Sequence, residues 1–168
     1  MEELESLRSD RLARVRDADV PAANDELAGV GSSTAEIRAT MASDGAERYG
    51  LKVGVAPDGT EETLLYYDER AERIVVHREH STCDAETRAT VSERSSLVHR
   101  GEVDLAGEDL DLHVYLDGSM LEVYVNGLKS VTTRVYPEDE RSTGIEAWAS
   151  GDATVQQLDV WELEGVDE

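Results

Sequence analysis

Between residues 110 and 136 the chain reads LDLHVYLDGSMLEVYVNGLKSVTTRVY, an alternation of apolar and polar residues interrupted at Asp117-Gly118 and at Asn126-Gly127. A period of two sends successive side chains to opposite faces of a strand, and Asp-Gly and Asn-Gly are strong hairpin signals. The stretch therefore predicts a three-strand meander. With Asp117-Gly118 as the loop, Leu116 faces Ser119, Val114 faces Leu121, Leu112 faces Val123 and Leu110 faces Val125, which makes one apolar face. The opposite face carries Asp111, His113, Tyr115, Glu122 and Tyr124. A two-residue loop at Asn126-Gly127 would set Glu122 against Val131 and mix the faces. A three-residue loop or a bulge is predicted there instead, with Val123 opposite Val131 and Leu121 opposite Thr133.

The same alternation recurs along the chain. Ala35, Ile37, Ala39 and Met41 alternate with polar residues, as do Tyr49, Leu51, Val53 and Val55, and ETLLYYD and RIVVH flank a polar turn. Residues 97–105, 144–149 and 155–163 complete a set of about nine or ten short strands with frequent turn signals. The expected fold is all-β, a two-sheet antiparallel β-sandwich of the concanavalin/galectin-like jelly-roll type spanning residues 34–163. Ahead of it, Leu4, Leu7, Leu12 and Val15 predict a short amphipathic N-terminal helix over residues 2–16. Residues 17–33, with Pro21, read as an extended linker turning at residues 31–33, so 1–33 is helix plus linker and 164–168 a tail. Residues 81–96 read as strand followed by loop.

Thirty-eight acidic residues against sixteen basic ones leave a formal net charge of −22, and Lys52 and Lys129 are the only lysines. Such a surface repels nucleic-acid phosphates and anionic membranes, so neither is an expected partner. Acid spread along the whole chain, scarce Lys and absent Phe predict a protein adapted to a concentrated-salt interior, where a Debye length of about 3 Å screens self-repulsion. The opening MEELESLRSD lacks a basic, apolar leader, so a cytoplasmic location is expected. A single cysteine, Cys83, excludes an internal disulfide and a multi-cysteine zinc site.

Chemistry is sparse. Asp109/Asp111 and Asp117/Glu122 could supply paired carboxylates, but acids at 38 of 168 positions generate such pairs by chance. His77-x-x-His80-x-x-Cys83 has poor spacing for a metal on an extended strand. There is no G-x-S-x-G elbow, and Gly29-Val30-Gly31 lacks the strand and helix of a phosphate loop. No catalytic residue, metal or cofactor is expected. What remains is aromatic. Tyr115, Tyr124 and Tyr136, with His113 and Glu122, fall on the polar face of the meander, and Trp148 alternates away from Ile145, Ala147 and Ala149. Flat rings among polar neighbours suit either saccharide stacking or a domain-docking face.

The runs LHVYLDGSMLEVYVNG, RVYP and GIEAWASGDATVQQLDVWEL resemble the C-terminal β-sandwich of glycoside hydrolase family 32, the invertases, levanases and fructan β-fructosidases. YGLKVGVAPDGTEETLLYYDERAERIVVHRE is similar to that module's first hairpins, and EELESLR to the segment entering it from the catalytic propeller. The propeller's W-x-N-D-P-N-G, R-D-P and E-C motifs do not occur in this sequence. The resemblance thus implies a non-catalytic module that supports or docks on a catalytic propeller. The alternative is a stand-alone fructan-binding module. Expected partners are a propeller domain or subunit, a fructan or other saccharide, or a second copy of the chain.

Overall fold

The alternating segments pair as two antiparallel sheets packed face to face, seen in a computed structural model that describes residues 7–82, 84–94 and 96–164. In chain order the elements are β1 (Arg8–Asp19), α1 (Val20–Leu27), β2 (Thr34–Ser43), β3 (Arg48–Val55), β4 (Thr63–Asp68) and β5 (Arg73–His77). They continue with α2 (Ala85–Arg94), β6 (Val98–Glu102), β7 (Leu110–Asp117), β8 (Met120–Val125), β9 (Lys129–Arg134), β10 (Gly144–Ala149) and β11 (Ala153–Leu163). One sheet has six strands in the order β1-β11-β2-β7-β8-β9, and the other has five in the order β10-β3-β4-β5-β6. The inner faces meet in an aliphatic core that includes Ile37, Met41, Leu51, Leu65, Ile74, Leu112, Leu121 and Leu158, all fully buried. Two inward tyrosines add bulk and send their hydroxyls to partners: Tyr67 donates to the Val103 carbonyl at 2.8 Å and Tyr49 to Glu69 at 3.1 Å.

The meander forms with the expected faces but a different first register. Asp117 pairs with Met120, Leu116 with Leu121, Val114 with Val123 and Leu112 with Val125. The two-residue loop is therefore Gly118-Ser119, and Gly118 at φ 58° supplies the positive dihedral that a Gly-first hairpin turn requires. A slip of two residues preserves the pleat, which is why the apolar and polar faces keep their expected members. The second turn is the expected three-residue loop: Asn126 and Gly127 take φ of 50° and 66°, and Val123 faces Val131 and Leu121 faces Thr133.

The N-terminal expectation is overturned over the described residues. Residues 8–19 are a strand, β1, paired with β11 from Arg8↔Leu163 to Asp19↔Thr154, while residues 2–6 of the expected helix lie outside the described residues. Register shifts between Arg8 and Arg11 and between Arg11 and Ala13 explain the misreading. Each irregularity breaks the period of two, so inward residues recur at spacings that imitate a helical turn.

The helix comes one segment later, inside the expected linker. Asp19 caps α1 by accepting from the Ala22 amide at 2.8 Å, and Pro21 lies in its first turn, where a missing N–H costs nothing. Asn24 then uses both ends of its amide on β10, donating to the Ala147 carbonyl at 2.9 Å and accepting from the Ala147 amide at 2.7 Å. That contact blunts an edge strand of the five-stranded sheet. Residues 85–94 are likewise helical rather than strand and loop. The Asp84 carboxylate accepts from the Glu86 and Thr87 amides at 3.3 Å and starts α2.

Candidate functional site

The outer face of the six-stranded sheet carries four of the residues singled out in the sequence. His113 and Tyr115 on β7 stand across from Tyr124 and Glu122 on β8. The His113 ring lies 4.6 Å from Tyr115 and 6.4 Å from Tyr124, and the two tyrosines meet edge-on at 6.1 Å. Tyr124 donates to Glu122 at 3.3 Å.

Beneath this cluster sits a residue that no sequence pattern singled out. Glu36 on β2, register partner of Tyr115, is 0% exposed although it points to the outer face. Arg8 reaches across from β1 and forks onto its carboxylate at 2.6 and 2.9 Å, and the His113 Nε2 lies 3.1 Å from the same group. Trp161 on β11 closes the assembly, its ring 3.9 Å from the Arg8 guanidinium. Arg16 repeats the device further along β1, holding buried Asp159 at 3.1 and 3.0 Å. The outer face is thus a rigid, charge-paired platform. Tyr115 is 7% exposed between its neighbours and offers no open ring face to a sugar.

Burial works to raise the Glu36 carboxyl, but hydrogen bonds and charge from Arg8 and His113 outweigh it, and its pKa lies below the ordinary 4.5. Burial first, and then the Glu36 charge, push the Tyr115 phenol up to about 12. Since the folded state lowers the Glu36 pKa, its contribution to stability is complete above the unfolded value and is lost as pH falls through the folded one. Urea melts should therefore show wild type losing more stability than Glu36→Gln between about pH 5 and pH 3. Parallel losses in the two proteins would remove this carboxylate from the account of acid sensitivity.

The other two expected site residues lie elsewhere, so the six do not form one site. Trp148 is on the outer face of the five-stranded sheet, where its ring lies 5.6 Å from that of Tyr66. The meander's polar face ends before Tyr136, because the strand stops at Arg134; Tyr136 is 42% exposed and lines a cavity of about 700 Å³ with Arg78, His99, Thr133 and α2. Arg78 there donates to the carbonyls of Arg134 at 2.7 Å and of Ser96, which makes it a clamp between the sheet edges. Nearby, Glu61 is fully buried and accepts from the Glu138 and Asp139 amides at 2.8 and 3.0 Å and from the Ser142 hydroxyl at 2.7 Å. It pins the loop after β9 to the start of β4.

The sequence matches the model of the family described as "Glycosyl hydrolases family 32 C terminal" over residues 3–162. The chain belongs to that family. Among curated proteins it is similar to the sucrose-6-phosphate hydrolase of Escherichia coli, at 28% identity over 132 residues, covering 76% of this chain and 24% of that protein. Among solved structures it is similar to fructan 1-exohydrolase IIa of Cichorium intybus, with a TM-score of 0.72 at 14% identity over 99% of this chain and 38% of that one. A sucrose-6-phosphate hydrolase of Lactobacillus gasseri superposes with a TM-score of 0.69 at 15% identity, over 98% of this chain and 30% of that one. The chain therefore spans about a quarter of the curated relative's length and about a third of these structures.

The carboxylates singled out in the sequence take other partners in this family 32 sandwich. Asp117 pairs with Met120 rather than Glu122, and Asp111 faces Arg38 at 4.0 Å. The rings of His77 and His80 come within 6.2 Å because the chain turns after β5, where the Ser81 amide donates to the Arg78 carbonyl. Cys83, the third member of that motif, lies outside the described residues, and no group of three or more metal-ligating side chains occurs among those described.

Proposed function

We propose that this family 32 sandwich is the non-catalytic module of a β-fructosidase-type protein, seated against a catalytic propeller through the outer face of the six-stranded sheet. One observation carries the reading: the family match runs through the whole sandwich yet covers only a quarter to two fifths of its relatives' length, 24% of the Escherichia coli hydrolase and 38% of the Cichorium intybus exohydrolase. The choice of face rests on its make-up. Tyr, Trp and Arg on rigid strands, with their charges already paired, are what a specific protein interface is built from. Sucrose 6-phosphate or a fructan is then the partner domain's substrate, as the names of the relatives suggest.

Light scattering on a mixture with a separately expressed family 32 propeller, in molar KCl to suit an acidic chain, should show a one-to-one complex. Tyr124→Ala should weaken it about tenfold. Absence of any complex overturns the docking reading. The chain measured alone tells whether a second copy takes that face instead.

A further inference from the structure

We infer that the groove beside Trp148, on the outer face of the five-stranded sheet, is a binding site for a neutral sugar ring. The site is created by register. Trp148, Gly50 and Tyr66 are successive partners across β10, β3 and β4, and Glu146, Lys52, Leu64 and His77 form the next row on the same face. Gly50 contributes no side chain, so the Trp148 and Tyr66 rings lean together over β3 with centroids 5.6 Å apart and planes at 54°. They make an apolar wall. The opposite wall is imidazole: His77 and His80 stack at 6.2 Å, with planes 26° apart. Between the walls lies a groove of about 250 Å³ that also touches Arg48 and Glu62.

The chemistry of that lining selects its occupant. Ring faces attract the C–H face of a sugar, and they do so without an ion pair, so the attraction survives concentrated salt. Hydroxyl partners stand around the wall. The Arg48 guanidinium lies 5.7 Å from the Tyr66 ring, and Glu62 is held by Lys52 at 2.9 Å. Donors and acceptors of both signs alternate around the groove, which fits a polyol. An anion such as a sugar phosphate would meet the Glu62 carboxylate in the lining and a chain with a net charge of −22. The groove lies on the far side of the sandwich from the docking platform, so a saccharide and a propeller can be held at once, and neither proposal rests on the other.

The competing account is that Trp148 and Tyr66 only shield the β3 backbone at Gly50. Titration with sucrose, maltotriose, inulin and levan in molar KCl separates the two. A Trp161→Phe background leaves Trp148 as the sole indole, because the chain has two tryptophans. Saturable heat and a saturable change in Trp148 fluorescence are expected with at least one of these sugars. Trp148→Ala and Glu62→Gln should each weaken binding at least tenfold at an unchanged thermal midpoint, while Leu128→Ser, on an exposed loop tip, leaves it unaltered. If Trp148→Ala does not fold, Glu62→Gln carries the test. No response to any of the four sugars at tens of millimolar, binding that persists in the variants, or tighter binding of a sugar phosphate overturns the proposal.

Discussion

Arg8→Ala lowers the stability of the sandwich by about 3 kcal/mol, the lower end of the cost of breaking a buried ion pair from one side. The low end applies because the Arg8 side chain is 21% exposed while the Glu36 side chain it neutralises is 0% exposed. Without the guanidinium, a carboxylate with no access to water keeps only the hydrogen bonds of His113 and Tyr115, and Trp161 loses the cation over its ring. Arg8→Lys should recover only part of the loss, since an ammonium cannot reproduce two parallel bonds to one carboxylate. Replacing both partners, as Arg8→Met with Glu36→Leu, should cost less than Arg8→Ala alone, because no charge is then stranded. Urea melts in constant high salt measure all three. A loss below about 1 kcal/mol for Arg8→Ala would place the pair with ordinary surface salt bridges.

Gly50→Ala is expected to be at least as damaging, costing about 3 kcal/mol or more, and it acts through the backbone. A Cβ at that position would overlap the Leu65 carbonyl oxygen and lie 2.8 Å from the Tyr66 Cα, so β3 and β4 would have to separate. Neither contact is the flexible end of a side chain, and rotamer changes cannot relieve it. The same separation would spread the Trp148 and Tyr66 rings. Gly118→Ala, at a hairpin tip with nothing within 4 Å of an added Cβ, keeps only the dihedral penalty and should cost about 1 kcal/mol. Equal melts for the two variants would contradict the close approach of the strands.

The contrast between these positions shows what a sequence can carry. Strands β2 to β4 and β7 to β11 announce themselves through alternation, because one face of each packs on the aliphatic core, while β5 buries Ile74, Val75 and Val76 in succession and is legible instead from the polar turn before it. The Asn126-Gly127 loop length came from the need to keep Val123 and Val131 on one face. β1 was illegible because two register shifts erase the period on which such a reading depends, while α1 and α2 were signalled only by local chemistry, Asp19 with Pro21 and Asp84 with Thr87. Those caps were readable and outweighed by the polar character of their neighbourhoods. Glu36 was invisible in a stronger sense. An acid at an outward strand position looks solvated until the register brings Arg8, His113 and Trp161 around it, and those residues come from three different strands. The Trp148 groove is similar: its ring was visible as outward-facing, but Tyr66 and Gly50 became its companions only through sheet order.

The pairing of β1 with β11 has a mechanical consequence. Leu7 accepts a hydrogen bond from the Glu164 amide at 2.8 Å, so the first and last strands start and finish side by side. Tension applied between these two points runs across the ladder rather than along it and opens one rung at a time, like a zip. The sandwich should therefore peel under small forces, and anything that grips both residues together would shield it from such a pull.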